Sequence, residues 1–195
     1  MMEGMATTAL LVMDIQVGLV DRVAESSESL LAAVGRATAA ARNAEIAVIY
    51  VQVAFRPGAP EISGRNRIFS VIASSGSMSL SDAATQIHPA VAPQSDDIVV
   101  TKKRVSAFTG SDLEVVLRSL DVESLVLTGI ATSGVVLSTL RQAADLDYEV
   151  TVLRDACADA DAEVHRVLLD KVFPRQATIL DVNEWLRHLR GQASD

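Results

Sequence analysis

One cysteine, Cys157, occurs in 195 residues, so no internal disulfide can form, and a lone thiol agrees with a reducing compartment. Long hydrophobic runs are missing as well. The apolar stretch from Ala9 to Met13 is far shorter than the roughly 20 residues needed to cross a bilayer. Glu3 precedes it where a signal peptide carries basic residues, so a cytoplasmic location is expected. Positive charge is also scarce: 17 Lys and Arg stand against 25 Asp and Glu, and no basic cluster exceeds Lys102-Lys103-Arg104. The resulting charge of −8 repels phosphate backbones and anionic lipid, which argues against nucleic-acid and membrane partners.

What remains is an apolar chain, 49% hydrophobic and only 22% charged, long enough for one well-buried domain over residues 1–195. Six short apolar runs read as buried parallel strands: Ala9 to Met13, Ile46 to Val51, Ile98 to Val100, Leu125 to Leu127, Val150 to Leu153 and Ala177 to Leu180. Helical stripes lie between most of them. Leu30, Leu31 and Val34 form one; Leu113, Val116, Leu117 and Leu120 a second, behind a capping box at Ser111 to Glu114. Val136, Leu137, Leu140 and Ala144 form a third, and Val164, Val167, Leu168 and Val172 a fourth. Asp181 to Glu184 caps a terminal helix that buries Trp185 and Leu189. Strands alternating with helices imply right-handed crossovers and a sheet covered on both faces, the α/β class.

Residues 56 to 96 break this rhythm with Pro57, Pro60, Pro89 and Pro93 and many Ser and Gly, with a short helix expected near Ser81. The segment leaves the end of the second strand, where α/β proteins place ligands, so it reads as a lid or a tolerated surface insertion. Arg56, Arg65 and Arg67 fall within it, and a guanidinium there, Arg56 foremost, suits a substrate carboxylate.

Two charged residues close apolar strands. Asp14 follows the first, and burial at a strand end raises a carboxyl pKa toward the range useful for proton transfer. Lys102 ends the third, where an ammonium near Asp14 would orient it and stabilise negative charge. From pattern alone, Asp14 bonding to loop backbone and Lys102 lying exposed are the commoner outcomes. A third strand end, Thr128-Gly129-Ile130, runs into Ala131-Thr132-Ser133-Gly134-Val135-Val136, which contains neither thiol nor histidine.

Together these segments resemble the isochorismatase-like, or cysteine hydrolase, superfamily. Asp14-Ile15-Gln16 matches its Asp-x-Gln; Lys102 to Phe108 matches its Lys-x-Arg-x-Ser-Ala-Phe box; Gly129 to Val135 matches its Gly-x-x-Thr-x-x-Cys nucleophile turn, with Val135 at the cysteine position. The resemblance runs from Leu10 to about Leu189. It implies a single parallel six-stranded sheet in the order 3-2-1-4-5-6, a homodimer or homotetramer, and a cis peptide near Ile130-Ala131. It assigns Asp14 as general acid/base and Lys102, rather than Lys103, as its electrostatic partner. Gln16 becomes a substrate or structural contact, Phe108 a pocket wall, and Arg104 and Ser106 loop anchors. Ile130, Ala131 and Thr132 become candidate substrate contacts beside the turn.

The departures shape the functional reading. Valine cannot attack a carbonyl, so Val135 closes the covalent route. Ser133 points about 200° away around a helix, and neither it nor Ser138 has a histidine partner in sequence. Cys157, just past the fifth strand, reads as a small packing residue. The Asp-x-His that holds metal in some relatives is replaced by Gln52 to Phe55, and His88, His165 and His188 are scattered without ligand spacing, so neither a metal nor another cofactor is expected.

True isochorismatases also lack the cysteine and hydrolyse a vinyl ether through an acid. That leaves three readings: non-covalent hydrolysis of a small molecule by Asp14 and Lys102, amide hydrolysis by water activated at Asp14, and an inactive binding or oligomeric scaffold. Retention of both charged residues favours an enzyme over a scaffold.

Overall fold

The computed structural model describes residues 7–75 and 78–192. Six strands, β1 (Thr8–Met13), β2 (Ala47–Val53), β3 (Ile98–Lys102), β4 (Ser124–Ile130), β5 (Glu149–Ala158) and β6 (Thr178–Leu180), form one parallel sheet in the order β3-β2-β1-β4-β5-β6. The helices are α1 (Val17–Val20), α2 (Ser27–Asn43), α3 (Arg67–Ser75), α4 (Leu113–Ser119), α5 (Leu137–Asp145), α6 (Ala162–Val167) and α7 (Val182–Gln192). Among the described residues, no helix is long and apolar enough to cross a membrane.

Strand alternation builds two cores. Ala9, Leu11 and Met13 of β1 join Leu113 and Leu117 of α4 and Leu140 and Ala143 of α5. Leu10 and Val12 join Leu30, Val34, Ala37 and Ala41 of α2 and Trp185 of α7. Successive side chains of a strand face opposite sides, so burial on both faces explains why these strands are apolar throughout. Order reverses between β1 and β4, and the carboxyl ends of the strands at such a switch point are where open α/β sheets place ligands.

Local signals translated unevenly. Asp181 and Glu184 form the reciprocal cap expected of α7: Glu184 N donates to Asp181 Oδ1 and Asp181 N to Glu184 Oε2, each at 2.8 Å. Only half of the box at Ser111 forms: Leu113 N donates to Ser111 Oγ at 3.3 Å, the same hydroxyl donates to Ala107 O at 2.6 Å, and Glu114 pairs with Arg118 instead of closing the box. The α6 stripe also shifts, leaving Val164 exposed while Leu169 and Phe173 enter the core. A π-helical stretch, Leu168–Val172, changes the residue period there.

The described residues between 56 and 96 hold more secondary structure than their composition suggests. They contain α3, whose Asn66 accepts from Phe69 N at 3.1 Å, and single 3₁₀ turns at Ala83–Thr85 and Pro89–Val91 in place of a helix at Ser81. Phe69 meets Phe55 edge-to-face at 5.5 Å, and both join Val53 in a small third core. The segment is thereby anchored by its own apolar contacts to the end of β2.

Candidate active site

Asp14 stands at the end of β1 in a left-handed conformation, φ 57°, its N–H donating to Val51 O at 2.7 Å. Lys102 ends β3, two strands away, with Val53 of β2 as its register partner. Two strand spacings amount to about 10 Å, a gap that a four-carbon lysine stem bridges together with an aspartate. Lys102 Nζ lies 2.9 Å from Asp14 Oδ2 and donates to Arg104 O at 2.9 Å and Val105 O at 3.0 Å. All three ammonium hydrogens are thereby engaged, which permits a lysine only 2% exposed.

The other carboxylate oxygen is different. Asp14 Oδ1 is buried and has no hydrogen-bond partner among the described residues. Burial pushes the Asp14 carboxyl above the ordinary carboxylate range, opposed by the charge and hydrogen bond of Lys102. Asp14 is thus oriented through Oδ2 and uncommitted at Oδ1.

The turn after β4 is set by backbone geometry. Gly129 has φ 152°, and a Cβ there would stand 2.4 Å from Met13 O, so only glycine lets β4 approach β1 this closely. The Ile130-Ala131 peptide is cis, as the resemblance implied. Thr132–Val136 then forms a π-helical turn in which Gly134 N and Val136 N both donate to Ala131 O. Val135 is 2% exposed and belongs to the same apolar core as Met13, and Ile130 is likewise buried.

Several other candidates are occupied elsewhere. Gln16 is a brace: Nε2 donates to Val53 O at 3.0 Å and Thr85 O at 2.5 Å, while Oε1 accepts from Val53 N at 2.9 Å. Arg56 extends into solvent and pairs with Glu61 at 2.7 Å. Phe108, expected as a pocket wall, is packed into the core. It is buried with α4 and α5 and stacks on Tyr148, which precedes β5 at the opposite, amino end of the sheet.

Lys103 turns from Asp14, donating to Ala54 O and lying 3.9 Å from Glu61. Arg104 holds the loop through Lys103 O and Glu61 O, and Ser106 through Gln142. Among the described residues, a cavity of about 710 Å³ borders Thr8, Ser124, Glu149 and Thr178 at that same amino edge, and neither Asp14 nor Lys102 lines it.

Cys157 lies within β5 rather than beyond it, opposite Gly129, with burial pushing its thiol up to about 12. The charged pair before it disguised the strand: Arg154 bonds Asp170 and Asp155 accepts from Val182 N. Among the described residues, no group of three or more His, Cys, Asp or Glu could hold a metal ion.

The sequence reading missed His165. Its Nδ1 lies 2.7 Å from Thr132 Oγ1, while Ser133 N donates to Asp159 Oδ2 at 2.7 Å. Only the position of His165 one turn into α6, behind an Asp161 cap, hints at this.

An isochorismatase domain model matches residues 8–184. The chain belongs to the isochorismatase family. The isochorismatase family protein YwoC of Bacillus subtilis is 30% identical over 94% of this chain and 94% of its own. Ureidoacrylate amidohydrolase RutB of Methylobacterium radiotolerans is 33% identical over 86% of this chain and 73% of that one. An isochorismatase family structure from Burkholderia thailandensis superposes with a TM-score of 0.82 at 30% identity, covering 94% of this chain and 96% of the other.

Proposed function

We propose that this isochorismatase-family chain hydrolyses a small molecule without a covalent enzyme intermediate, Asp14 moving the proton and Lys102 supporting its charge. The observation that carries this reading is the asymmetric carboxylate of Asp14, with Oδ2 held by Lys102 and Oδ1 buried and unpaired. Structural ion pairs ordinarily satisfy both oxygens, because an orphaned buried acceptor costs about 1–3 kcal/mol.

For an enol ether, protonated Asp14 gives its proton to the terminal alkene carbon, forming an oxocarbenium ion. Water adds to the oxygen-bearing carbon of that ion and returns a proton to the carboxylate. The hemiketal then collapses to an alcohol and a keto acid, such as pyruvate from isochorismate. Lys102 stabilises the carboxylate left after the first transfer. No step asks anything of position 135.

The amidohydrolase name of the RutB relative favours a second substrate class. With an amide, Asp14 takes a proton from water as it attacks the carbonyl and delivers it to the leaving nitrogen. A panel of isochorismate and small carboxylate-bearing amides, followed by chromatography of the products, separates the two. Turnover is expected with one class and lost in Asp14→Asn. Turnover retained in that variant removes Asp14 from the mechanism, and no turnover with either class favours a non-catalytic scaffold.

A further inference from the structure

The turn that replaces the nucleophile site is held from outside at two consecutive residues. Thr132 Oγ1 meets His165 Nδ1 at 2.7 Å, and Ser133 N donates to Asp159 Oδ2 at 2.7 Å. Both partners come from one stretch, the end of β5 and the start of α6. Asp159 itself is ordered by Asp161 N at 3.3 Å, and Asp161 caps α6 by accepting from Glu163 N and Val164 N. Cap, helix and turn are therefore joined in one hydrogen-bonded chain. Thr132 is fully buried, whereas His165 is half-buried with Asp159, Arg154 and Asp170 as the charged groups around it. A packing role alone does not account for a histidine bonded to the hydroxyl beside Val135.

We infer that His165 is a positioning residue: through Thr132, with Asp159 acting in parallel through Ser133, it clamps the Thr132–Val136 turn against the carboxyl edge of the sheet. This sets the wall that a substrate meets beside Asp14. The clamp matters most here because valine supplies no polar contact of its own at position 135. The inference takes the turn as part of the Asp14 site proposed above, but its test requires no substrate.

Val135→Cys places a reporter thiol in the turn, and Cys157, buried and poorly ionised, serves as an unreactive reference resolved by peptide mass. In that background, alkylation of the thiol at position 135 by iodoacetamide is expected to quicken about 3- to 10-fold with Thr132→Val or His165→Ala, the factor set by losing one buried hydrogen bond. Thr132→Ser, which keeps the hydroxyl, is expected to restore the slow rate to within about twofold. Deuterium exchange in the chain carrying only Thr132→Val provides a second readout, with faster exchange expected at residues 131–136 and unchanged protection in β1.

Equal alkylation in the Thr132→Val and Thr132→Ser backgrounds overturns the proposal, as does unaltered exchange in the turn. Loss of protection in β1 equal to that in the turn also overturns it, since the pair would then be ordinary core. A failed substrate screen with a positive clamp result would reject only the hydrolytic reading.

Discussion

Asp14 and Lys102 are joined at 2.9 Å across an intervening strand, so the pair ties the ends of β1 and β3 together over β2. Both are buried, and the ammonium shares its remaining hydrogens with two loop carbonyls. Replacing Asp14 with Asn leaves a buried ammonium without its counter-charge. The expected loss is about 3 kcal/mol of unfolding free energy, together with loss of turnover. Urea denaturation of the two proteins checks the first part, and unchanged stability would mean that water reaches Lys102.

Gly129→Ala sets a methyl group against Met13 O at the seam between β1 and β4. Strain at φ 152° adds to the clash, for an expected destabilisation of about 2–3 kcal/mol, read as a lowered Tm. A Tm equal to the parent would show that the two strands separate more easily than their register suggests.

The Cys157 thiol, pushed up to about 12 by burial, is expected to resist Ellman's reagent in the native protein and to react fully in denaturant. Rapid native reaction would place it at an accessible surface.

Burial lowers the His165 pKa below its ordinary value of 6.5, reinforced by Arg154 and opposed by Asp159 and Asp170. Between that lowered value and 6.5 the unfolded chain binds more protons than the folded one. The histidine therefore costs no stability above the window, and stability falls as pH drops through it. Urea unfolding from about pH 7.5 to about pH 5 is expected to show a shallower acid decline in His165→Gln than in the parent. Parallel declines would assign the acid sensitivity to other groups.

Much of the architecture was legible because parallel strands buried on both faces must be apolar over most of their length, as β1, β2 and β4 are. The exceptions are instructive. Arg154 and Asp155 interrupt the apolar pattern of β5, yet the strand continues because each finds a polar partner at its rim. Helix α3 sits inside a Pro, Ser and Gly-rich segment, and its one clear signal, Asn66 ahead of Ile68 and Phe69, is only a local cap. The capping motif at Ser111 is only half made, because Ser111 Oγ accepts from Leu113 N while Glu114 turns to Arg118 one helical turn on.

The site divides in the same way. Asp14 and Lys102 stand out in the sequence because a charge directly after a buried strand is costly unless paired. Phe108 and Arg56 were candidates for substrate contacts only, and in the fold the Phe108 ring stacks on Tyr148 while the exposed Arg56 pairs with Glu61.

By itself, then, the sequence determined the strand rhythm, the charged strand ends and the absence of a thiol at Val135. Those depend on residue type and local period alone. Only the tertiary structure decided that Asp14 keeps one oxygen unpaired, that Gln16 spends its amide on backbone, and that Thr132 bonds His165 33 residues away. Hydrogen-bond partners so distant in the chain are chosen by how strands and helices pack, and local periodicity carries no record of that choice.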